Sequence, residues 1–137
     1  MTHRLLIVAH APSPNTLAMR TAVEAGARHD DINELDVMVK APLEAGPDDV
    51  LKANGVILGT TENLGYMSGA LKDFFDRCYY PLLEETQGLP YTLYIRAGLD
   101  GTGTRRGIES IANGLKWRAV QKPLLCCGEY KESFLDD

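Results

Sequence analysis

The sequence predicts one α/β domain built on a doubly wound parallel sheet, and three observations predict it. Strand-like apolar runs alternate with helix-like stretches from end to end, the order that a parallel sheet with right-handed crossovers requires. Two of those runs, Leu5–Ala9 (LLIVA) and Val56–Leu58 (VIL), are continuously apolar, as in strands covered on both faces. Residues 1–137 hold five such runs and about four helices without a repeat, a low-complexity stretch or a linker, which makes the chain a single domain.

Leu5–Ala9 is the first strand, and the loop HAPSPNT (10–16) follows at its carboxyl end. A helix starts near Leu17 and runs through Ala22, Val23 and Ala27, with Asn15 or Thr16 placed to cap it. Leu35–Val39 is a more polar second strand, nearer an edge. Lys40–Pro47 is a loop and Asp48–Ala53 a short helix. The third strand, Gly55–Gly59, feeds a polar loop, Thr60–Met67, and then the most periodic stretch of the chain. Leu71, Phe74, Phe75, Cys78 and Leu82 recur as one apolar stripe, behind Ser68 as N-cap. Lys72 with Asp76 and Asp73 with Arg77 lie four apart with opposite charge on the other face. Thr86–Pro90 ends that helix, and Tyr91–Arg96 (YTLYIR) is rich in strand formers. The loop Ala97–Thr104 (AGLDGTGT) precedes a helix carrying Ile108, Ile111, Ala112, Leu115 and Ala119, which ends near Trp117. Ala119–Cys127 is the last strand, and Pro123 inside it favours an edge. The charged tail Gly128–Asp137 is expected to hold little structure.

The totals narrow the function. A net charge of −5 argues against general nucleic-acid affinity, which needs a basic surface, but leaves room for a small anion at a helix N-terminus. Cys78, Cys126 and Cys127 form no CxxC and no even set, so neither a disulfide framework nor a zinc site is predicted. Cys78 falls on the apolar stripe and reads as a small buried hydrophobe. Leu5–Ala9 is too short for a signal-peptide core or a membrane span, and the reduced thiols fit a cytoplasmic setting.

In a sheet of this class the loops after the first, third and fourth strands meet at one edge, across the switch point. Free N–H groups at the first loop, with Ser13, Asn15 and Thr16, suit a phosphate, or serve only as caps. His10 could touch that phosphate or a substrate, or remain a solvated imidazole. The other two loops would bracket a flat ring. Gly98, Gly101 and Gly103 allow close backbone approach, and Leu64 and Tyr66 could pack on a planar face. The competing readings are a flexible turn, a surface aromatic at Tyr66, a surface carboxylate at Glu62 and a turn residue at Asp100. No GxGxxG follows the first strand, so a Rossmann dinucleotide site is not supported.

GTTENLGYMSGALKDFFDR resembles the central segment of flavodoxin-like FMN reductases and quinone reductases. Gly59, Gly65, Met67 and Ser68 match their Gly-Ser/Thr-Pro-x-x-x-Gly-x-Met/Ile-Ser/Pro pattern. Leu71, Lys72, Phe74 and Asp76 match the Leu-Lys-x-Phe-x-Asp that follows it. HAPSPNT is similar to their phosphate loop, and AGLDGTGT with GLKWRAV resembles their third flavin loop and final strand. The resemblance implies a five-stranded flavodoxin-like sheet of order 2-1-3-4-5. It departs at Thr61, where the family usually has proline, and at Leu64, where an aromatic is common. The chain also stops soon after the fifth strand, so the last helix is short or missing. That would leave one sheet face open or covered by a partner, a homodimer being one such arrangement.

What the resemblance implies for function is FMN, not FAD, as cofactor and NAD(P)H as co-substrate, with hydride passing through FMN to a quinone, flavin or similar acceptor. The cofactor contacts it implies are His10, Ser13, Asn15 and Thr16 in the first loop, then Thr60, Thr61, Glu62, Asn63, Leu64, Gly65, Tyr66 and Met67 in the second. In the third they are Ala97, Gly98, Asp100, Gly101 and Gly103. No catalytic acid or base is required. Two other readings stay open: a flavodoxin-type electron carrier that docks on redox partners, and a flavin-free binding protein on the same scaffold. Carriers usually present an acidic face; Arg105 and Arg106 beside the third loop favour the enzyme, through pairing with nicotinamide phosphates or simply as solvated charges.

Overall fold

Parallel pairing carries the chain across five sheet positions. The computed structural model describes residues 3–136 apart from 31 and 33. In chain order the elements are β1 (His3–Ala9), α1 (Pro14–Ala27), β2 (Leu35–Lys40), α2 (Pro47–Leu51), β3 (Gly55–Asn63), β4 (Tyr66–Met67) and α3 (Gly69–Leu82). Then come β5 (Pro90–Ala97), α4 (Thr102–Gly114), β6 (Arg118–Ala119), β7 (Leu124–Cys127) and a 3-10 helix (Glu132–Leu135). The order is β2-β1-β3-β5-β6, with β7 paired to β5 beyond β6 and β4 turned back antiparallel on β3. With β6 and β7 as two pieces of one strand, this is the expected 2-1-3-4-5 arrangement. The break falls at Val120–Pro123, where proline cannot donate to the ladder.

The first sheet face is sealed. Leu71, Phe74, Phe75, Cys78 and Leu82 of α3 are all buried, against Leu6, Val8, Val56, Leu58, Leu93 and Ile95 of the strands. Ile108, Ala112 and Leu115 extend the same core from α4 and its C-cap. Each large side chain buried there contributes roughly 1.5–3 kcal/mol. Trp117 closes the amino edge, its Nε1–H donating to Thr86 Oγ1 at 2.8 Å. The predicted pairs Lys72–Asp76 and Asp73–Arg77 form on the outer face of α3. Arg77 also donates to the carbonyls of Ala45 and Pro42, which ties α3 to the loop before α2.

The second face is covered less. Met19 and Ala27 of α1 pack on Ile7, Ala9, Val37, Tyr94 and Cys126, and the 3-10 helix adds Phe134 and Leu135. Between them lies a cavity of about 420 Å³ lined by Leu5, Val23, Ile57, Leu124 and their neighbours, none of them charged. Ile57 sits at the middle of the sheet and is only half-buried, unlike Leu58 beside it. The element that follows β7 on this face is a 3-10 helix of four residues, which leaves the cavity beside α1 partly uncovered.

Several boundaries differ from expectation, α1 among them, which begins at Pro14 inside the segment read as a loop. The third strand continues from Gly59 to Asn63 and turns back at Leu64–Gly65, so the connection Thr60–Met67 is a β-hairpin and not an irregular loop. α4 begins at Thr102, inside the segment read as a loop, and ends at Gly114. Ala119 therefore belongs to β6, not to that helix. The tail is not bare: Arg96 Nη1 donates to the carbonyls of Ala97 and Cys126, and its guanidinium lies over the rings of Tyr130 and Phe134. That stacking docks the 3-10 helix onto the sheet. Residue 137 of the tail lies outside the described residues.

Candidate functional site

The loops after β1, β3 and β5 leave the carboxyl edges of three adjacent strands. In the first, Ser13 is extended (φ −135°, ψ 164°) and caps α1, with Pro14 at the first helical position. The Thr16 N–H donates to Ser13 Oγ at 3.2 Å, and the Ser13 N–H donates to Thr16 Oγ1 at 3.0 Å. This reciprocal box corrects the expected cap: Ser13 holds that place, and neither Asn15 nor Thr16 does. It also engages both hydroxyls, whose oxygens lie 2.9 Å apart. Asn15 is exposed, and its N–H stands at the second helical position, where no intrahelical carbonyl is within reach. No acidic residue occupies the first turn, so the positive end of the helix dipole is left for an anion. The His10 N–H donates to the Gly59 carbonyl at 3.0 Å, pinning this loop to β3. Burial holds the His10 imidazole below its usual pKa, hence neutral at pH 7.

The second loop is the β3–β4 hairpin. Leu64 (φ 54°) and Gly65 (φ 77°) both take left-handed dihedrals, the requirement of a type I′ turn. Thr60, buried at its base, accepts from the Ser68 N–H at 3.0 Å, and Ser68 Oγ accepts from the Leu71 N–H at 3.1 Å. The hairpin therefore fixes where α3 starts. Thr61 Oγ1 donates to Asn63 Oδ1 at 2.8 Å. Leu64, at the tip, is fully exposed, whereas Met67 is buried in the core and brings only backbone to the edge.

In the third loop Gly98, Leu99 and Asp100 are exposed, while Ala97 and Gly101 are buried. Asp100 Oδ1 accepts from the Thr102 N–H at 3.0 Å, which holds its carboxyl below the usual range. Gly101 (φ 72°) supplies the left-handed residue that turns the chain into α4.

The second and third loops touch. The Leu99 N–H donates to Glu62 Oε1 at 3.3 Å. A Cβ on Gly103 would stand 2.0 Å from the Gly65 carbonyl oxygen, and one on Gly107 would stand 2.5 Å from the Tyr66 ring. The hairpin thus lies flat on the first turns of α4, with Tyr66 over Gly107. Gly107 is not among the residues the sequence points to, although Gly103 and Gly107, four apart on one helix face, signal such an approach. Thr104, also missed, is fully buried with its Oγ1 unpartnered.

The second and third loops each leave one leucine in solvent at this edge, Leu64 fully and Leu99 at 78% exposure, and Leu17 in the first turns of α1 is 44% exposed. Exposed backbone beside leucines that nothing covers, with an acid-free helix start alongside, suits a ligand with an anionic end and a flat apolar body. Among the described residues no group of three or more histidine, cysteine or acidic side chains gathers to hold a metal ion.

Comparison with known proteins decides the fold. A flavodoxin from the domain Archaea superposes with a TM-score of 0.80 at 18% identity, over 97% of this chain and 89% of that one. The fold is flavodoxin-like. A WrbA-like flavodoxin from Agrobacterium tumefaciens gives 0.75 at 18% identity, over 99% of this chain and 89% of the other. In sequence, a flavodoxin of Aquifex aeolicus (strain VF5) is 31% identical over 108 residues, 79% of this chain. The chain spans 57% of that relative's length. No family model matches. No described helix of this flavodoxin-like domain is long and apolar enough to cross a membrane.

Proposed function

We propose that this chain binds FMN at the carboxyl edge of the sheet and serves as a flavodoxin-type electron carrier. The observation that carries the reading is the convergence of three loops, one anion-ready and two with uncovered leucines, over adjacent strands. The identity to the Aquifex aeolicus flavodoxin and the fold supply the choice of ligand. Bound FMN would supply the redox chemistry, taking up and releasing electrons. Asn15 and the α1 N-terminus would take its phosphate. The backbone of Thr61–Gly65 and Gly98–Asp100 would hold the ring edge, while Leu64 and Leu99 would exclude water from it. Glu62, held by the Leu99 N–H, would keep the two ring loops in register.

A second reading, an NAD(P)H-dependent oxidoreductase acting on a quinone, flavin or similar acceptor, is favoured by the exposed Arg105 and Arg106 next to the third loop and by the WrbA-like neighbour. The homodimer would belong to either reading, with a second copy on the apolar cavity beside α1, and three cysteines that form no disulfide suit the reducing cytoplasm.

An anaerobic absorbance titration separates these readings. FMN is added to the purified chain, then NADH or NADPH, then dithionite. The carrier reading expects a shifted flavin spectrum that dithionite bleaches and NAD(P)H leaves unchanged over minutes. Rapid bleaching by NAD(P)H selects the enzyme. A spectrum identical to free FMN removes both.

A further inference from the structure

We propose that the groove between α4 and the broken edge strand is a docking surface for an acidic segment of a redox partner. Two adjoining depressions form it, of about 470 and 310 Å³, and both include Arg105 and Glu109. Arg105, Arg106 and Lys122 line it against one carboxylate, Glu109, in a chain whose net charge is −5. Arg105 is spoken for, its Nε donating to Glu109 Oε1 at 3.2 Å. Arg106 and Lys122 have no ion-pair partner among the described residues.

Apolar Val120 and Pro123 line the first depression and Leu125 the second. No aromatic side chain lines either depression, so nothing there stacks on a nucleobase, which favours an acidic polypeptide over a nucleotide. The position adds to this. The groove follows the outer position of the sheet, where the Val120 N–H still donates to the Tyr91 carbonyl at 3.0 Å and Gln121–Pro123 then break the strand before β7. Its other end is Thr102, directly after the loop of Gly98–Gly101. A partner seated along it would lie next to the proposed flavin edge.

The physics selects orientation more than strength. An acidic partner is repelled by most of a chain of net charge −5, so the local cations decide which face it meets. Rim charges of this kind change association rate and salt dependence. The inference rests on the flavin site proposed above, and it is tested so that the two can fail separately; in the oxidoreductase reading the same Arg105 and Arg106 would instead meet nicotinamide phosphates, which the pyrophosphate arm below detects.

The probe is a fluorescein-labelled octaglutamate peptide, read by fluorescence anisotropy on the full chain before and after FMN is added. At about 20 mM salt the peptide should bind. The affinity should fall at least about tenfold in the double variant R105E/R106E, about threefold in Lys122→Glu, and to background near 300 mM salt, beyond the reach of exposed charges. The variant R105K/R106K should retain binding, which a purely structural role for the arginines would not restore. Binding that R105E/R106E leaves unchanged, with its circular dichroism intact, overturns the proposal. So does displacement of the peptide by micromolar pyrophosphate, which would make the groove a phosphate site. Loss of FMN binding with peptide binding preserved would sink the flavin reading and leave the groove.

Discussion

Gly103→Ala tests whether the hairpin presses on α4 as described. Inside a helix, replacing glycine with alanine normally stabilises by up to about 1 kcal/mol. Here the new Cβ would lie 2.0 Å from the Gly65 carbonyl oxygen, and Cβ contacts under 3.0 Å are essentially never seen. The obstacle is backbone, so the hairpin or the start of α4 must move by at least about 1 Å. Overpacking of this sort costs about 1–3 kcal/mol. Set against the propensity gain, the net loss should be roughly 1–2 kcal/mol, about 4–8 °C in Tm for a chain of this size. Thermal unfolding by circular dichroism reads it. Gly98→Ala is the control: nothing lies within 4 Å of its Cβ, so its Tm should stay within about 2 °C of the wild type. A Gly103→Ala protein that melts at or above the parent would refute the contact between hairpin and helix. FMN affinity should fall in the same variant, because the tip that carries Leu64 is displaced.

Three further outcomes are expected. Ser13→Ala opens the capping box and should cost about 1 kcal/mol in urea unfolding, with m unchanged. Burial pushes the Asp49 carboxyl up, but hydrogen bonds from Lys40 Nζ and the Gly46 N–H, each at 2.9 Å, outweigh it and hold the pKa below its usual value. Its stabilisation is therefore full above about pH 4 and lost as pH falls through the depressed value, so Asp49→Asn should cost about 1 kcal/mol at pH 7 and progressively less in acid. An unvarying difference down to pH 2 would contradict it. Cys78 is fully buried and its thiol is pushed up to about 11, and Cys126 is buried, so at pH 8 a thiol reagent should label half-buried Cys127 alone until the chain unfolds.

The parts of the fold legible in the sequence are those where one physical rule acts alone. The α3 stripe is buried in full because a single sheet face receives it, so helical spacing and burial coincide. Leu6–Ala9 were equally clear, since a central parallel strand needs no alternation. The hairpin was obscured because its turn puts Leu64, not asparagine or aspartate, in the first left-handed position, and Thr60–Asn63 carry too little apolar character to extend a strand reading. The start of α4 was hidden by glycine: Gly101 turns the chain by its dihedral alone, and Gly103 is there for proximity to Gly65, not for flexibility. The tail was misread because the residues that hold it, Arg96, Tyr130 and Phe134, are charged or scattered, and only the fold brings them together. At the candidate site, the three loops are legible because each follows one of three adjacent strands. Which residue caps α1 is not, because Ser13 takes that place through its extended backbone and its bonds to Thr16.

The most direct test of the central claim is to follow the backbone amide resonances of isotope-labelled protein while FMN is added. FMN bound at the carboxyl edge should give saturable shifts concentrated at residues 11–17, 61–66 and 98–103, with the apolar cavity beside α1 unaffected. Shifts centred on Val23, Ile57 and Leu124 instead, or none at millimolar FMN, would contradict it.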